Sequence, residues 1–160
     1  MAKKPEADER DLIRLPDNLF FRTAMLNFLM GRTLAPFYSA EGLLSHEWKV
    51  LGVLWSFEPL SASGILQQVT FDKAAVSRAL RSLEERELIV RQSQSQDRRS
   101  ANVRLTRRGQ QIYRRILAQV SAVQQEMLAG LTQAQTDTLF QAHDILETYL
   151  RRRLEPDITD

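Results

Sequence analysis

The sequence predicts a mainly α fold, on three observations. Apolar residues recur at helical spacing through six segments of the chain. Strand-like, β-branched stretches occur only twice, close together around a polar tip. Glycine and proline are scarce, six and five in 160 residues, with no Ser/Gly linker, low-complexity tract or internal repeat. The composition, 43% hydrophobic, 26% charged and 8% aromatic, is that of a globular domain able to bury a core.

The first helix is expected from Pro16, where a first-turn proline is tolerated, with Leu19, Phe20, Ala24, Phe28 and Leu29 recurring to about Phe37. Ser45 is placed to cap a second, carrying Trp48, Leu51, Val53, Leu54 and Trp55 to a stop at Pro59. Ser61 caps a short third helix with Ile65, Leu66 and Val69, and Asp72 caps a fourth over Lys73–Arg86. The period then changes. Leu88-Ile89-Val90-Arg91 and Val103-Arg104-Leu105 read as two short strands, with the wholly polar Gln92–Arg99 at the tip of a hairpin. Thr106 caps a long fifth helix whose Ile112, Ile116, Val120, Val123 and Met127 share one stripe. Thr132 opens the sixth, with Leu139, Leu146 and Leu150 on one face and Arg151-Arg152-Arg153 at its end, where cations suit a helix C-terminus. The charge-dense ends, Met1–Arg10 and Glu155–Asp160, are expected to be disordered.

Several function classes drop out. Without cysteine there is no disulfide, thiol nucleophile, Cys-ligated zinc or cysteine redox sensor. The two histidines, His46 and His143, belong to no metal-ligand spacing, so neither a metal nor a cofactor is expected. There is no Gly-rich phosphate loop, G-x-S-x-G or H-E-x-x-H, and the Glu84-Glu85 pair falls on a predicted solvent face. No enzyme is expected. The chain opens without a signal-peptide-like run, and no stretch nears the ~18 consecutive apolar residues of a membrane span. A soluble, cytoplasmic protein without a membrane partner is the expectation.

Charge is unevenly spread. Residues 72–115 hold twelve Lys/Arg against five Asp/Glu, or +7, and the rest holds ten against fifteen, or −5. Such a block is the footprint of a polyanion-binding surface or the solvated face of a helical protein, and the local pattern must decide. On a helical wheel, Ala75, Val76, Ala79, Leu80 and Leu83 occupy one arc of the fourth helix. Lys73, Ala74, Ser77, Arg78 and Arg81 occupy the opposite arc, with no acid before Glu84. Arginine can bond guanine through two N–H groups and small residues permit close approach, so this arc suits the major groove of DNA. The polar hairpin tip, Ser95-Gln96-Asp97-Arg98-Arg99-Ser100, adds two arginines of the kind that enter a narrow minor groove. Asp97 reads either as a turn former or as the group that orients a neighbouring guanidinium. The order of elements is thus a helix-turn-helix followed by a wing.

The run Asp72–Gly109, D-K-A-A-V-S-R-A-L-R-S-L-E-E-R-E-L-I-V-R-Q-S-Q-S-Q-D-R-R-S-A-N-V-R-L-T-R-R-G, resembles the winged helix of the MarR family of bacterial transcription regulators. The family's wing pattern, D-x-R, five residues, then L-T-x-x-G, falls on Asp97, Arg99, Leu105, Thr106 and Gly109. Ser45–Leu51 is similar to the family's second helix, and the resemblance covers roughly Leu15 to Arg153. It implies a winged helix-turn-helix DNA-binding region with a helical dimerisation region built from N- and C-terminal helices. The expected divisions are a flexible N-terminus (1–14), a dimerisation helix (15–44), the winged region (45–106), C-terminal dimerisation helices (107–154) and a flexible tail (155–160). A homodimer would read a pseudo-palindromic operator in double-stranded DNA. Lys73, Ser77, Arg78, Arg81 and Arg98 would be DNA contacts, and Arg99 the minor-groove arginine oriented by Asp97. One departure is Glu87, where the family usually places glycine after the recognition helix.

The resemblance also implies a trigger, often a small aromatic acid or phenol bound between the dimer and DNA-binding regions. Tyr38, His46 and Trp48 lie at the first-to-second helix junction, combining ring surface with one cation-capable group. The plainer reading makes Tyr38 and Trp48 core or interface residues and His46 a surface residue at a helix start. The expected function is a dimeric, sequence-specific DNA-binding regulator, a repressor released by such a ligand. The alternatives are a regulator without a ligand and a winged-helix protein-interaction module.

Overall fold

The computed structural model describes residues 14–92 and 101–154. In chain order they form α1 (Leu19–Ala40), α2 (Ser45–Phe57), α3 (Ala62–Gln68), α4 (Lys73–Glu85), β1 (Ile89–Gln92), β2 (Asn102–Leu105), α5 (Arg107–Leu128) and α6 (Gln133–Leu154). The fold is mainly α, as the periodicity predicts. Two compact units, residues 1–117 and 118–160, divide within α5.

Side-chain oxygens start most of these helices by accepting the otherwise unpaired first-turn N–H groups. Ser61 accepts from Gly64 at 3.1 Å, Asp72 from Ala75 at 2.7 Å and Thr106 from Gly109 at 3.0 Å. Thr132 and Gln135 cap each other, the Thr132 N–H donating to Gln135 Oε1 at 2.9 Å and the Gln135 N–H to Thr132 Oγ1 at 3.3 Å. Ser45 is a correction: it is the first residue of α2, and Leu44 holds the cap position. Leu44 has no side-chain acceptor, so its own N–H donates to the Glu47 carboxylate at 2.7 Å. Pro16 lies in a separate 3-10 turn, Leu15–Asp17. Asn18 caps α1, accepting from Phe21 at 2.9 Å, and the helix runs through Pro36 to Ala40. Likewise α4 stops at Glu85, with Arg86 as its C-cap.

The core joins Val50, Leu51 and Leu54 of α2, Ile65 of α3, Val76, Ala79, Leu80 and Leu83 of α4, and Ile112 and Ile116 of α5. Burying each of the larger ones contributes about 1.5–3 kcal/mol. Among the described residues every buried side chain lies between Leu43 and Ile116. Helices α1 and α6 bury none of theirs.

The sheet is antiparallel, Ile89 opposite Leu105 and Gln92 opposite Asn102. Leu60 extends it on the other edge of β2, exchanging backbone hydrogen bonds with Val103 at 2.8 and 3.3 Å. The Leu105 N–H donates to the Glu58 carboxylate at 2.6 Å, which closes the ladder. This third edge has no counterpart in the sequence reading.

Between α4 and β1 the chain reverses in a Schellman turn. The Leu88 N–H reaches Leu83 O and the Glu87 N–H reaches Glu84 O, both at 2.9 Å. Glu87 therefore adopts the left-handed region, φ 58°. Neighbours hold it there: the Thr106 hydroxyl donates to Glu87 O at 2.7 Å, and the Thr106 N–H to Leu88 O at 3.0 Å. A Cβ on Gly109 would run into that same Leu88 carbonyl oxygen. The L-T-x-x-G segment thus has a steric reason: α5 starts directly against the backbone that follows α4.

At the α1–α2 corner, Gly42 (φ 68°) ends α1 in the same kind of turn. Arg86 donates to Gly42 O and to Glu41 O, each at 3.0 Å, and lies 3.6 Å from the buried Glu47 carboxylate. Arg115 of α5 donates to both Glu41 carboxylate oxygens, at 2.7 and 2.8 Å. The hydrogen bond from Arg115 lowers the Glu41 pKa against an opposing push from partial burial, and the Arg115 charge adds to the lowering. A depressed carboxylate contributes stability above its unfolded pKa and loses it as pH falls through the folded one, so this pair acts at neutral pH and fails in acid.

The left-handed Glu87 yields a stability prediction. Glu87→Gly should raise the unfolding free energy by about 1 kcal/mol, because glycine meets no Cβ clash at positive φ. Chemical denaturation measures it, and an unchanged or lower midpoint shows that the neighbours, not the residue, set the energy of the turn.

Candidate nucleic-acid interface

Helix α4 faces two ways, as the wheel predicts. Val76, Ala79, Leu80 and Leu83 are buried, while Lys73, Ala74, Ser77, Arg78 and Arg81 are all exposed. Among the described residues Lys73, Arg78 and Arg81 meet no carboxylate, whereas Arg86, Arg91, Arg108 and Arg115 are each paired with one. Three cations with a hydroxyl and a methyl between them therefore stand bare on one face. Helix α3 precedes this helix and the sheet follows it, so α3–α4 is the helix-turn-helix and β1–β2 the stem of a wing.

The stem is fixed on both sides. Arg91 of β1 donates to the Glu84 carboxylate of α4 at 3.0 Å, and β2 is held by Leu60 and Glu58. Val90 and Arg104 are a cross-strand pair on the exposed face, opposite the buried pair Ile89 and Leu105. Arg104 is a further exposed cation that the wheel of α4 could not reveal, although the alternation along β2 points to it. Asp97, Arg98 and Arg99 lie outside the described residues.

The three ring residues at the helix junction do not form one cluster. Tyr38 stacks on Trp48, centroids 5.9 Å apart and planes 10° apart. His46 sets its edge against Phe71 instead, at 6.3 Å and 67°. The reason is helical geometry: residues two apart on α2 point to different sides. All three are half-buried. Among the described residues no cluster of His, Cys, Asp or Glu could hold a metal ion, and no helix is long and apolar enough to cross a membrane.

Residues 44–101 match the model of the MarR family. A relative from Bacillus subtilis, an uncharacterised HTH-type transcriptional regulator named YdgJ, is 28% identical over 96 residues. That alignment covers 60% of this chain and 58% of the relative's length. A crystal structure of a MarR/EmrR family transcriptional regulator from Acinetobacter sp. ADP1 is 28% identical, with TM-score 0.77, over 88% of this chain and 99% of that one. A crystal structure of the S. aureus MepR–DNA complex, 18% identical, shares the fold with TM-score 0.73 over 83% of this chain and 96% of that one. The winged helix, the bare cationic arc of α4 and these likenesses agree: residues 44–101 carry the winged helix of the MarR family, whose members are DNA-binding transcription regulators and not enzymes.

Proposed function

We propose that this chain acts as a homodimer that binds a pseudo-palindromic operator, each subunit laying α4 in a major groove and its wing tip at the adjacent minor groove. The acid-free, unpaired arc Lys73, Ser77, Arg78 and Arg81 carries this reading. Among the described residues its cations meet no carboxylate, so phosphates and base edges would find no ion pair there to break. From the wing pattern of the sequence, Arg99 is assigned to the minor groove, with Arg98 as a further contact and Asp97 as the residue that would orient Arg99; narrow A·T tracts concentrate negative potential there. Support for the dimer comes from α1 and α6. Phe20 is 75% and Phe28 56% exposed on one, Ile145 61% on the other, an apolar display that a second copy would cover. Residues 15–44 and 107–154 are accordingly the dimerisation helices of this reading, and 45–106 its DNA-binding region.

Within it, the protein is a repressor released by a small carboxylated aromatic molecule. The Tyr38–Trp48 stack supplies a ring platform beside the α1–α2 corner. His46 stands on another side of α2, against Phe71, and would meet the ligand only from there.

Gel-shift titration on sites selected from random DNA tests the readout. Arg78→Ala or Arg81→Ala should each cost about 1–3 kcal/mol per half-site and relax preference at one base pair. Lys73→Ala should weaken all sequences alike and lower the salt slope by about 1. If either arginine variant weakens every sequence equally, that arginine contacts phosphate only. Sedimentation at micromolar concentration should show a dimer, and a monomer there removes two-fold recognition. For the trigger, aromatic acids are screened for loss of the gel shift. A ~100-fold fall in occupancy needs a preference of about 2.7 kcal/mol for the DNA-incompetent dimer, and DNA must then weaken the acid by the same factor. Activity of such acids that survives both Tyr38→Leu and His46→Ala places their site elsewhere, and a screen without an active acid leaves control by protein abundance.

A further inference from the structure

The α1–α2 corner does more than close a loop. No residue of helix α1 is fully buried, and its half-buried ones, Met30, Leu34, Ala35, Phe37 and Tyr38, all lie in its C-terminal half, so the chain holds α1 from that end. That angle is set where α1 ends. There Leu43 is buried, Tyr38 rests on Trp48, and two arginines from elsewhere converge on Glu41 and Gly42. One is Arg86, the C-cap of α4, which donates to the Glu41 and Gly42 carbonyls at 3.0 Å each. The other is Arg115, 74 residues away in sequence, with its two-pronged grip on the Glu41 carboxylate at 2.7 and 2.8 Å.

Neither arginine belongs to the bare arc of α4. The Arg86 guanidinium is turned to the end of α1, where the last carbonyls of a helix favour a cation, and toward Glu47, which is 2% exposed. Bidentate pairing fixes direction as well as distance, which a single ammonium does not. Helix α4 is roughly 20 Å long at 1.5 Å per residue, so a tilt of about 5° at its C-terminal end displaces its far end by nearly ~2 Å. A shift of that size exceeds the tolerance of a hydrogen bond to a base edge.

We propose that Arg86 and Arg115 are positioning residues for DNA recognition: Arg86 ties the end of the recognition helix, and Arg115 the adjoining helix α5, to Glu41 and Gly42 at the end of α1, and together they set the separation of the two recognition helices in the dimer. The inference rests on the dimeric DNA-binding reading above. A partly exposed ion pair adds little to stability, so loosening it should show in DNA geometry before it shows in folding.

The test uses the full chain and a two-fold site enriched from random DNA by the unaltered protein. Affinity is measured for that site, for the same site with one base pair inserted at its centre, and for a single half-site, with Arg115→Gln, Arg86→Gln and Arg115→Lys as variants. One inserted pair moves the half-sites by about 3.4 Å and turns them by roughly 35°. The unaltered protein should lose about 100-fold on insertion, because a shift of that size removes base contacts in one half-site, each worth about 1–3 kcal/mol. Arg115→Gln should bind the enriched site about tenfold more weakly, lose under about tenfold on insertion, and keep its half-site affinity. Arg115→Lys, able to hold only one oxygen, should fall between. If Arg86→Gln does not fold, Arg115→Gln, at a half-exposed side chain, still decides. Equal losses on all three DNAs, or an unchanged insertion penalty, overturn the positioning role. Failure of the unaltered protein to enrich any two-fold site overturns the DNA-binding reading and this inference together, and is distinguishable because no variant is involved.

Discussion

One thirteen-residue helix has to satisfy two opposed demands, and the DNA-binding region is arranged around that. Helix α4 places Val76, Ala79, Leu80 and Leu83 in the core and leaves Lys73, Ser77, Arg78 and Arg81 bare. The apolar side holds the helix rigid, since a buried leucine resists removal by a few kcal/mol. The polar side gains nothing from the fold and waits for an external anion. Any carboxylate set opposite that arc would satisfy its cations internally and make binding compete with an ion pair. Instead, among the described residues, Asp72 is engaged as the cap of α4 and the later acids lie past the arc: Glu84 holds Arg91, and Glu87 approaches Arg108 at 4.0 Å.

Rigidity at the end of α4 comes from backbone groups more than from side-chain bulk. The Leu88 carbonyl is the focus. It accepts the Thr106 N–H, and it comes so close to α5 that only glycine fits at position 109. Thr106 serves three purposes at once: it caps α5, ties Glu87 O through its hydroxyl, and ties Leu88 O through its N–H. A residue at positive φ costs free energy on its own, of order 1–3 kcal/mol. Glu87 remains there because the Schellman hydrogen bonds on one side and Thr106 on the other leave no alternative. The end of the recognition helix and the start of α5 are in this sense one joint, with the wing stem issuing from it.

How much of this the sequence announces follows from the range of each interaction. Caps at Ser61, Asp72, Thr106 and Thr132 act over three residues, so local pattern finds them. The same rule misplaces the start of α2, because Glu47, a buried carboxylate, takes over from Ser45 by accepting the Leu44 N–H. The two faces of α4 are plain from spacing alone, and the family's usual glycine at 87 marks the turn even though glutamate occupies it. By contrast the Leu60–Val103 bridge, the Glu58 plug on Leu105 and the Arg115–Glu41 grip join residues tens of positions apart. No periodicity records them. The grouping of His46 with Trp48 fails for a local reason, since residues two apart on a helix diverge.

The distribution of burial also bears on how the protein exists in solution. Among the described residues the core runs from Leu43 to Ile116, while α1 and α6 carry Leu19, Phe20, Phe28, Leu139, Leu146 and Leu150, each left more than a third exposed within the chain. Long isolated helices draw most of their stability from packing of an apolar face, not from propensity. On the dimeric reading, then, a helix such as α1 is held in shape by the same contacts that hold two copies together, and folding of the outer helices is linked to association by mass action. Anything that acts on α1 is felt where α1 ends. There the backbone of Glu41 and Gly42 is in the hands of Arg86, one residue beyond the recognition helix. On that reading assembly and DNA recognition share a corner, and the guanidinium groups of Arg86 and Arg115 are the short path by which a change in one would reach the other.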